Sequence, residues 1–351
     1  MIVEPKFRGF ICTTSHPTGC KKNVENQIEY VKENGKIEGA KRVLVLGAST
    51  GYGLASAIVA SEACDAEVLG VSFEREAKGK RTASAGWYNI ESLKKFAEGE
   101  GKKFISVNGD AFSNEVKSEV IDLIKENMGK VDLVIYSLAA PKRKDPVSGE
   151  VYSSCLKTVG APFTSKTLDF HTGEIQDITI NPATEEEIEG TRKVMGGEDW
   201  MLWIEALKEA DVLEKGVKTI AYSYIGPEVT YPIYREGTIG RAKNDLEKTA
   251  GEITKVLKSL DGEGYISVNK ALVTQASSAI PIVSLYISIL YKVMKEKGTH
   301  EGCIEQIYRM FKELYEGNLN LDSENRIRID DLEMAEDVQK AIEEIWPQIT
   351  S

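Results

Sequence analysis

Residues 44–55 read Leu44-Val45-Leu46-Gly47-Ala48-Ser49-Thr50-Gly51-Tyr52-Gly53-Leu54-Ala55. An apolar strand runs into three glycines and then directly into helix-forming sequence. Glycine has no Cβ, so the chain can turn sharply and a phosphate can come close. The helix that follows presents unpaired N–H groups and the positive end of its dipole. Together these features make a pyrophosphate seat, built from Gly47, Ala48, Ser49, Thr50, Gly51, Tyr52 and Gly53. The spacing is Gly-x-x-x-Gly-x-Gly rather than Gly-x-Gly-x-x-Gly. Any tight strand-to-helix turn can use such glycines, so the context has to decide.

That context is a regular alternation. Apolar runs at 43–46, 67–73, 104–108 and 131–139 read as strands, with helices at 53–62 and 113–128. The rhythm predicts an α/β protein with a Rossmann-like, doubly wound parallel sheet. A polar stretch at 141–182 reads as loops and short strands inserted over the sheet. Residues 183–213 read as helix interrupted by Gly196-Gly197, and strands follow at 218–225 and 265–274. Helices at 282–297, 301–316 and 334–346 complete the chain. No Pro/Ser linker divides it, so one elaborated domain is expected over 1–351. Its parts are a first NAD-binding half (40–140), an insertion with helices (141–215), a Tyr/Lys half (216–280) and C-terminal helices (281–351).

In such a sheet the ligand lies at the carboxyl ends of the strands. Phe73-Glu74 ends the second strand. A carboxylate there accepts hydrogen bonds from the adenosine ribose hydroxyls and repels a 2′-phosphate, which favours NADH; the adjacent Arg75 leaves room for NADPH. Asp110-Ala111 is placed to meet the adenine, and Ser137-Leu138-Ala139-Ala140 the nicotinamide ribose. Each pair alone reads as structure. Their shared position makes them a candidate site.

The net charge of -11 argues against a nucleic-acid surface. Five cysteines without a Cys-x-x-Cys suggest neither a disulfide framework nor a zinc site, and fit a reducing cytoplasm. His16 and Cys20 are too few to hold a metal and read as an N-terminal turn. The longest apolar stretch, around 279–291, is too short to span a bilayer. A soluble monomer without a metal is expected.

The strand at 218–225 ends in Tyr222-Ser223-Tyr224-Ile225, followed closely by Tyr231-Pro232-Ile233-Tyr234. Hydride transfer to a polarised double bond leaves an enolate, whose oxygen needs a hydrogen-bond donor. A tyrosine can supply it, and a nearby ammonium lowers the tyrosine's pKa and grips the nicotinamide ribose. Tyr234 and Lys243 are separated by eight residues. On a continuous helix, nine steps of about 100° put them on roughly opposite faces. They converge if a helix starts between them, at Gly237-Thr238 with Thr238 as N-cap.

With these residues the chain resembles the FabV-type enoyl-ACP reductases and the related trans-2-enoyl-CoA reductases, which carry a Tyr-(x)8-Lys signature. Co-linear blocks extend the resemblance over most of the length. They include His16-Pro17-Thr18-Gly19-Cys20, Ala85-Gly86-Trp87-Tyr88-Asn89, Gly109-Asp110-Ala111-Phe112-Ser113 and Val194-Met195-Gly196-Gly197-Glu198-Asp199-Trp200. The resemblance implies Tyr234 as catalytic acid and Lys243 as cofactor ligand. It also implies Tyr224 as a second substrate tyrosine and Tyr52 as facing the substrate from the cofactor side. Backbone at Leu272-Val273-Thr274 would meet the nicotinamide, and Glu74 would discriminate between cofactors. The family carries a further segment past Trp346, whereas this chain stops at Ser351, a departure that bears on stability more than on chemistry.

The expected activity is NADH-dependent reduction of the C2=C3 bond of a trans-2-enoyl thioester, carried on acyl carrier protein or CoA, in fatty acid synthesis. Chain-length preference would depend on pocket shape near 276–286. Two rivals remain at this point. One is a β-ketoacyl or carbonyl reductase, which shares the Tyr/Lys logic but not the long spacing. The other is a non-catalytic NAD-binding regulator. Glu198-Asp199-Trp200 reads as a helix start with acids near its positive end rather than a catalytic pair.

Overall fold

Short runs of Val, Leu and Ile, bounded by glycine or polar turns, pair into one parallel sheet in which nearly every position is covered. The computed structural model describes residues 2–8, 11–170, 172–274, 277, 280, 282–317 and 319–350. A small antiparallel pair, β1 (Phe7–Arg8) and β2 (Ile11–Cys12), precedes helix α1 (Pro17–Asn34). Then come β3 (Arg42–Leu46), α2 (Gly51–Glu62), β4 (Glu67–Ser72), α3 (Ala85–Gly99), β5 (Phe104–Asn108), α4 (Asn114–Asn127) and β6 (Val131–Tyr136). The insertion forms two hairpins, β7 (Lys142–Lys144) with β8 (Val151–Ser153) and β9 (Phe163–Leu168) with β10 (Ile175–Ile180). Helices α5 (Glu185–Met195) and α6 (Glu198–Glu209) follow. The sheet resumes with β11 (Leu213–Ser223), α7 (Thr238–Leu257), β12 (Glu263–Val268), α8 (Val283–Lys297), α9 (Cys303–Glu316), β13 (Ile327–Arg328) and α10 (Glu336–Ile345).

The sheet order is β13-β12-β11-β6-β3-β4-β5. The chain moves outward from β3 to β5, then returns to the other side of β3 at β6. That reversal opens a crevice between the carboxyl ends of β3 and β6, where ligands bind in folds of this kind. Alternation along the strands separates two cores. Val43, Val45, Leu133 and Ile135 face α1, α2, α3 and α9. Leu44, Leu46, Val134 and Tyr136 face α4, α6 and α7, where Trp200 and Trp203 are fully buried. A third cluster joins α8 and α10 to the β9–β10 hairpin and includes Tyr234.

Several boundaries differ from the sequence reading. The strand expected over 131–139 ends at Tyr136, and that expected over 265–274 ends at Val268. The chain leaves the sheet at both places to line the crevice. The strand expected over 218–225 begins at Leu213, with a register shift before Lys218 beside Gly216, whose φ is +76°. His16 caps α1 through Nδ1, which accepts from the Gly19 N–H at 3.2 Å; the block around it is a helix start. Glu198 and Asp199 do open a helix, and both are paired: Glu198 with Arg143, Asp199 with Lys117 at 2.8 Å inside the core. Among the described residues no helix is long and apolar enough to cross a membrane, and no metal-holding cluster of acidic, Cys or His side chains occurs.

Candidate active site

The glycine turn closes against the neighbouring strand end. Gly47 has φ +88°, and a Cβ on it would lie 2.2 Å from the Ser137 carbonyl oxygen. A Cβ on Gly53 would lie 1.9 Å from the Gly47 carbonyl oxygen. The turn therefore folds onto itself more tightly than any side chain permits. The N–H groups of Gly47 and Ala48 are tied to the Val71 carbonyl at 2.9 Å each. Thr50 is the N-cap of α2 but makes no side-chain cap bond, and among the described residues no side chain caps the N-terminal end of that helix at the crevice.

Glu74 reaches back over this turn. Its Oε1 accepts from the Ser49 hydroxyl at 2.6 Å, and Asn108 pins its backbone at both N–H and carbonyl. A Cβ on Gly86, at the start of α3, would touch the Glu74 carboxyl at 2.1 Å. Arg75 turns away and donates to the carbonyls of Thr13 and Thr82. The carboxylate, not the guanidinium, addresses the turn, and this geometry favours a free ribose 2′-hydroxyl. Phe73 is largely exposed beside it. Asp110 caps its own turn through the Phe112 N–H, and the buried Ala111 carbonyl accepts from Trp203 and Lys117. Ser137 donates its N–H to the Leu46 carbonyl, which sets the Leu138 side chain beside Gly47, and Ala139 follows it along the chain.

Across the crevice, the strand-end segment after β12 comes over the same turn. A Cβ built on Gly51 would lie 3.7 Å from the Thr274 methyl. Leu272 is buried, and Val273 is half exposed with its N–H held by the Tyr291 hydroxyl at 2.9 Å. Ala276, Ser278, Ala279 and Pro281, within the stretch expected to set chain length, lie outside the described residues.

Tyr234 sits in the turn before α7, and Lys243 in that helix's second turn, so the break between them falls where the spacing required. The N-cap is Gly237 rather than Thr238, whose hydroxyl donates instead to the Cys155 carbonyl at 2.6 Å and ties the insertion to α7. The rings of Tyr224 and Tyr234 meet edge to face, centroids 4.9 Å apart at 81°. Burial pushes the Tyr234 hydroxyl well above the ordinary phenol range. The expected lowering by Lys243 is not seen, because the Lys243 ammonium is turned to the Tyr222 carbonyl at 2.8 Å. Burial lowers that ammonium to about 8, against the pull of Glu247.

Two further results were not visible in the sequence. The Tyr52 hydroxyl, expected to face substrate, donates to the Lys270 carbonyl at 2.7 Å, with its ring packed on Tyr222. Tyr52 thus joins the strand ends, and its hydroxyl is spent within the protein. Glu333 accepts from the hydroxyls of both Tyr224 and Tyr286. Its partners lie 109 and 47 residues away in sequence, so no local pattern could announce it.

Residues 81–315 match the trans-2-enoyl-CoA reductase catalytic region, and residues 2–79 match the NAD(P)H binding domain of trans-2-enoyl-CoA reductase. Residues 321–351 match a region described as an enoyl reductase FAD binding domain. That last segment contains no glycine, and its arginines Arg326 and Arg328 are committed to Asp322, Glu247 and Asp330. Its described residues do not fit a flavin dinucleotide, whose pyrophosphate needs a seat like that at 47–53.

The chain is 99% identical over 351 residues to a trans-2-enoyl-CoA reductase [NADH] of Clostridium perfringens, covering 100% of this chain and 90% of that protein. It is 58% identical over 353 residues to an enoyl-[acyl-carrier-protein] reductase [NADH] of Flavobacterium johnsoniae, covering 100% and 89%. The crystal structure of Clostridium acetobutulicum trans-2-enoyl-CoA reductase in complex with NADH superimposes with a TM-score of 0.97 at 48% identity, covering 100% of this chain and 89% of that one. A seven-stranded parallel sheet, a glycine turn guarded by a carboxylate and an edge-to-face tyrosine pair past the end of β11 are thus joined to sequence identity along the whole chain: it belongs to the trans-2-enoyl-CoA reductase family.

Proposed function

We propose that this chain reduces the C2=C3 double bond of trans-2-enoyl thioesters with NADH, yielding saturated acyl thioesters for fatty acid synthesis. The observation that carries the reading is the edge-to-face pair of Tyr224 and Tyr234, set at the carboxyl edge of the same sheet as the glycine turn. NADH, when bound, supplies the hydride that goes to C3. The residues at 47–53 hold its pyrophosphate, Glu74 its adenosine ribose, Asp110 and Ala111 its adenine side. Leu138, Ala139 and Leu272 to Thr274 flank the nicotinamide end. Tyr234, kept protonated by burial, donates a hydrogen bond to the thioester oxygen as enolate charge develops. Protonation at C2 completes the saturated chain.

Lys243 binds the nicotinamide ribose in its charged form. Its ammonium is lowered to about 8, so it is charged below that pH and loses its proton above it. Activity should therefore fall as pH rises through about 8, through kcat/KM for NADH. A pH series with crotonyl-CoA saturating checks this; a flat profile from pH 7 to pH 9, on the order of one unit either side of that value, would contradict the role.

Glu74→Gln keeps the shape and removes the charge. A hydrogen bond to a charged group contributes about 1.5–3 kcal/mol, so NADH should bind about tenfold or more weakly and the preference over NADPH should shrink. Steady-state kinetics with both cofactors measures it.

Crotonyl-CoA with NADH should be turned over while acetoacetyl-CoA is not. The reverse would favour a carbonyl reductase, and NADH binding without turnover across an enoyl-thioester panel a regulator. Acyl carrier protein and CoA present the same pantetheine arm, and kcat/KM on matched acyl groups separates them. In this reading one chain, a single unit over 1–351, works as a monomer in the cytoplasm. The cytoplasmic setting is supported by five free cysteines, which fit a reducing compartment. Sedimentation should give one species near 38.8 kDa.

A further inference from the structure

Glu333 lies between β13 and α10 with no exposed surface. A carboxyl in such a place needs partners. Three donors converge on it from three separate elements. Its Oε1 accepts from the Tyr224 hydroxyl at 3.0 Å, just past β11, and from the Tyr286 hydroxyl at 2.6 Å, on α8. Its Oε2 accepts from the Ala271 N–H at 2.6 Å, past β12. One side chain thus ties the second site tyrosine to the strand end that continues into Leu272 and Thr274. Lys270, beside it, donates to the Ala271 carbonyl at 3.0 Å and stands 4.7 Å from the Tyr291 ring centroid, so it does not bond the carboxyl directly.

This arrangement determines what Tyr224 can offer. While its hydroxyl donates to Glu333, it turns a lone pair toward the space beside Tyr234. With a proton on Glu333 the bond can run the other way, and the Tyr224 proton is free to point outward.

We propose that Glu333 is a positioning residue acting through Tyr224: it sets the direction of that hydroxyl and replaces the proton that Tyr224 delivers to C2. The inference rests on the enoyl reduction proposed above. In the step the Tyr224 O–H bond breaks as a C2–H bond forms, and the Glu333 proton moves to the Tyr224 oxygen. The carboxylate left behind keeps the Tyr286 hydroxyl and the Ala271 N–H as donors, and after product leaves it takes a proton back from the Tyr224 hydroxyl, which is itself reprotonated by a solvent proton entering the site. Only protons move. The ionisable groups that face the carboxyl are Tyr224, Tyr286 and Lys270, with Tyr52 and Tyr291 further off. Burial pushes the Glu333 carboxyl up, which favours the proton-bearing form, while Tyr286, the Ala271 N–H and Lys270 pull the other way.

The test is a double-mutant cycle with Glu333→Gln and Tyr224→Phe, assayed with crotonyl-CoA and NADH. Each single variant should lower kcat about tenfold or more with KM changed by less than about threefold, and the double variant should fall no further than Tyr224→Phe. The solvent deuterium isotope effect on kcat should be larger in Glu333→Gln than in the wild type, a change that a merely structural role would not produce. Glu333→Asp, which withdraws the carboxyl by one methylene, enters the same cycle if the glutamine variant does not fold. Effects that multiply, or an unchanged kcat in a folded Glu333 variant, overturn the proposal. Failure of the wild type to turn over crotonyl-CoA would instead refute the enoyl reductase reading.

Discussion

Tyr234→Phe should lower kcat on crotonyl-CoA by about a hundred- to ten-thousandfold, the range that a positioned proton donor contributes. KM and NADH affinity should change little. The ring keeps its place, because its edge-to-face contact with Tyr224 and its packing beside Ile233 do not involve the hydroxyl. Only the donor is lost. That donor acts on charge that develops in the transition state, so its removal is felt in kcat rather than in KM. Among the described residues the Tyr234 hydroxyl has no protein hydrogen-bond partner, in contrast to those of Tyr52, Tyr222 and Tyr224. Its removal therefore strands no buried group, and the melting temperature should hold. Near-normal turnover by this variant would remove Tyr234 from the chemistry.

Gly53→Ala should weaken NADH binding about a hundredfold. A Cβ there would sit 1.9 Å from the Gly47 carbonyl oxygen and 3.3 Å from the Ser137 Cβ. Both are parts of the crevice wall, so the turn has to open. Overpacking of this kind costs about 3 kcal/mol, or roughly a hundredfold in affinity if the strain falls on the seat. Gly51→Ala provides the contrast. Its φ is +55°, yet its nearest neighbour to a Cβ is the Thr274 methyl at 3.7 Å. The cost there is about 1–2 kcal/mol of left-handed backbone and no collision. Fluorescence titration of NADH should rank wild type, Gly51→Ala and Gly53→Ala in that order. Equal affinities would mean that the glycines serve only the fold.

The first half of the sheet was legible because its strands are buried on both faces and read as continuous apolar runs ending in turn residues. Residues 43–46 are the clearest case, all four buried in β3, and the edge strand over 104–108 and the helix after the glycine turn are found within two residues of expectation. The Tyr234–Lys243 arrangement was legible for another reason: helical geometry alone demanded a break, and Gly237 supplies it. What could not be read was set by distant partners. Helix α1 buries only Val24, Ile28 and Val31 in an otherwise polar stretch, so its periodicity was weak. Thr238 has the chemistry of a cap, but the Cys155 carbonyl, 83 residues earlier, takes its proton. Tyr52 and Glu333 take their places from contacts made only after β12 and β13 have joined the sheet.

The central claim is that hydride enters at C3 while the proton enters at C2. The most direct measurement is reduction of crotonyl-CoA with NADH deuterated at the transferable C4 position, followed by analysis of the butyryl product by mass spectrometry and NMR. Deuterium at C3, with hydrogen from solvent at C2, is the expected result. Deuterium at C2, deuterium lost to solvent, or a hydroxyl in the product would contradict it.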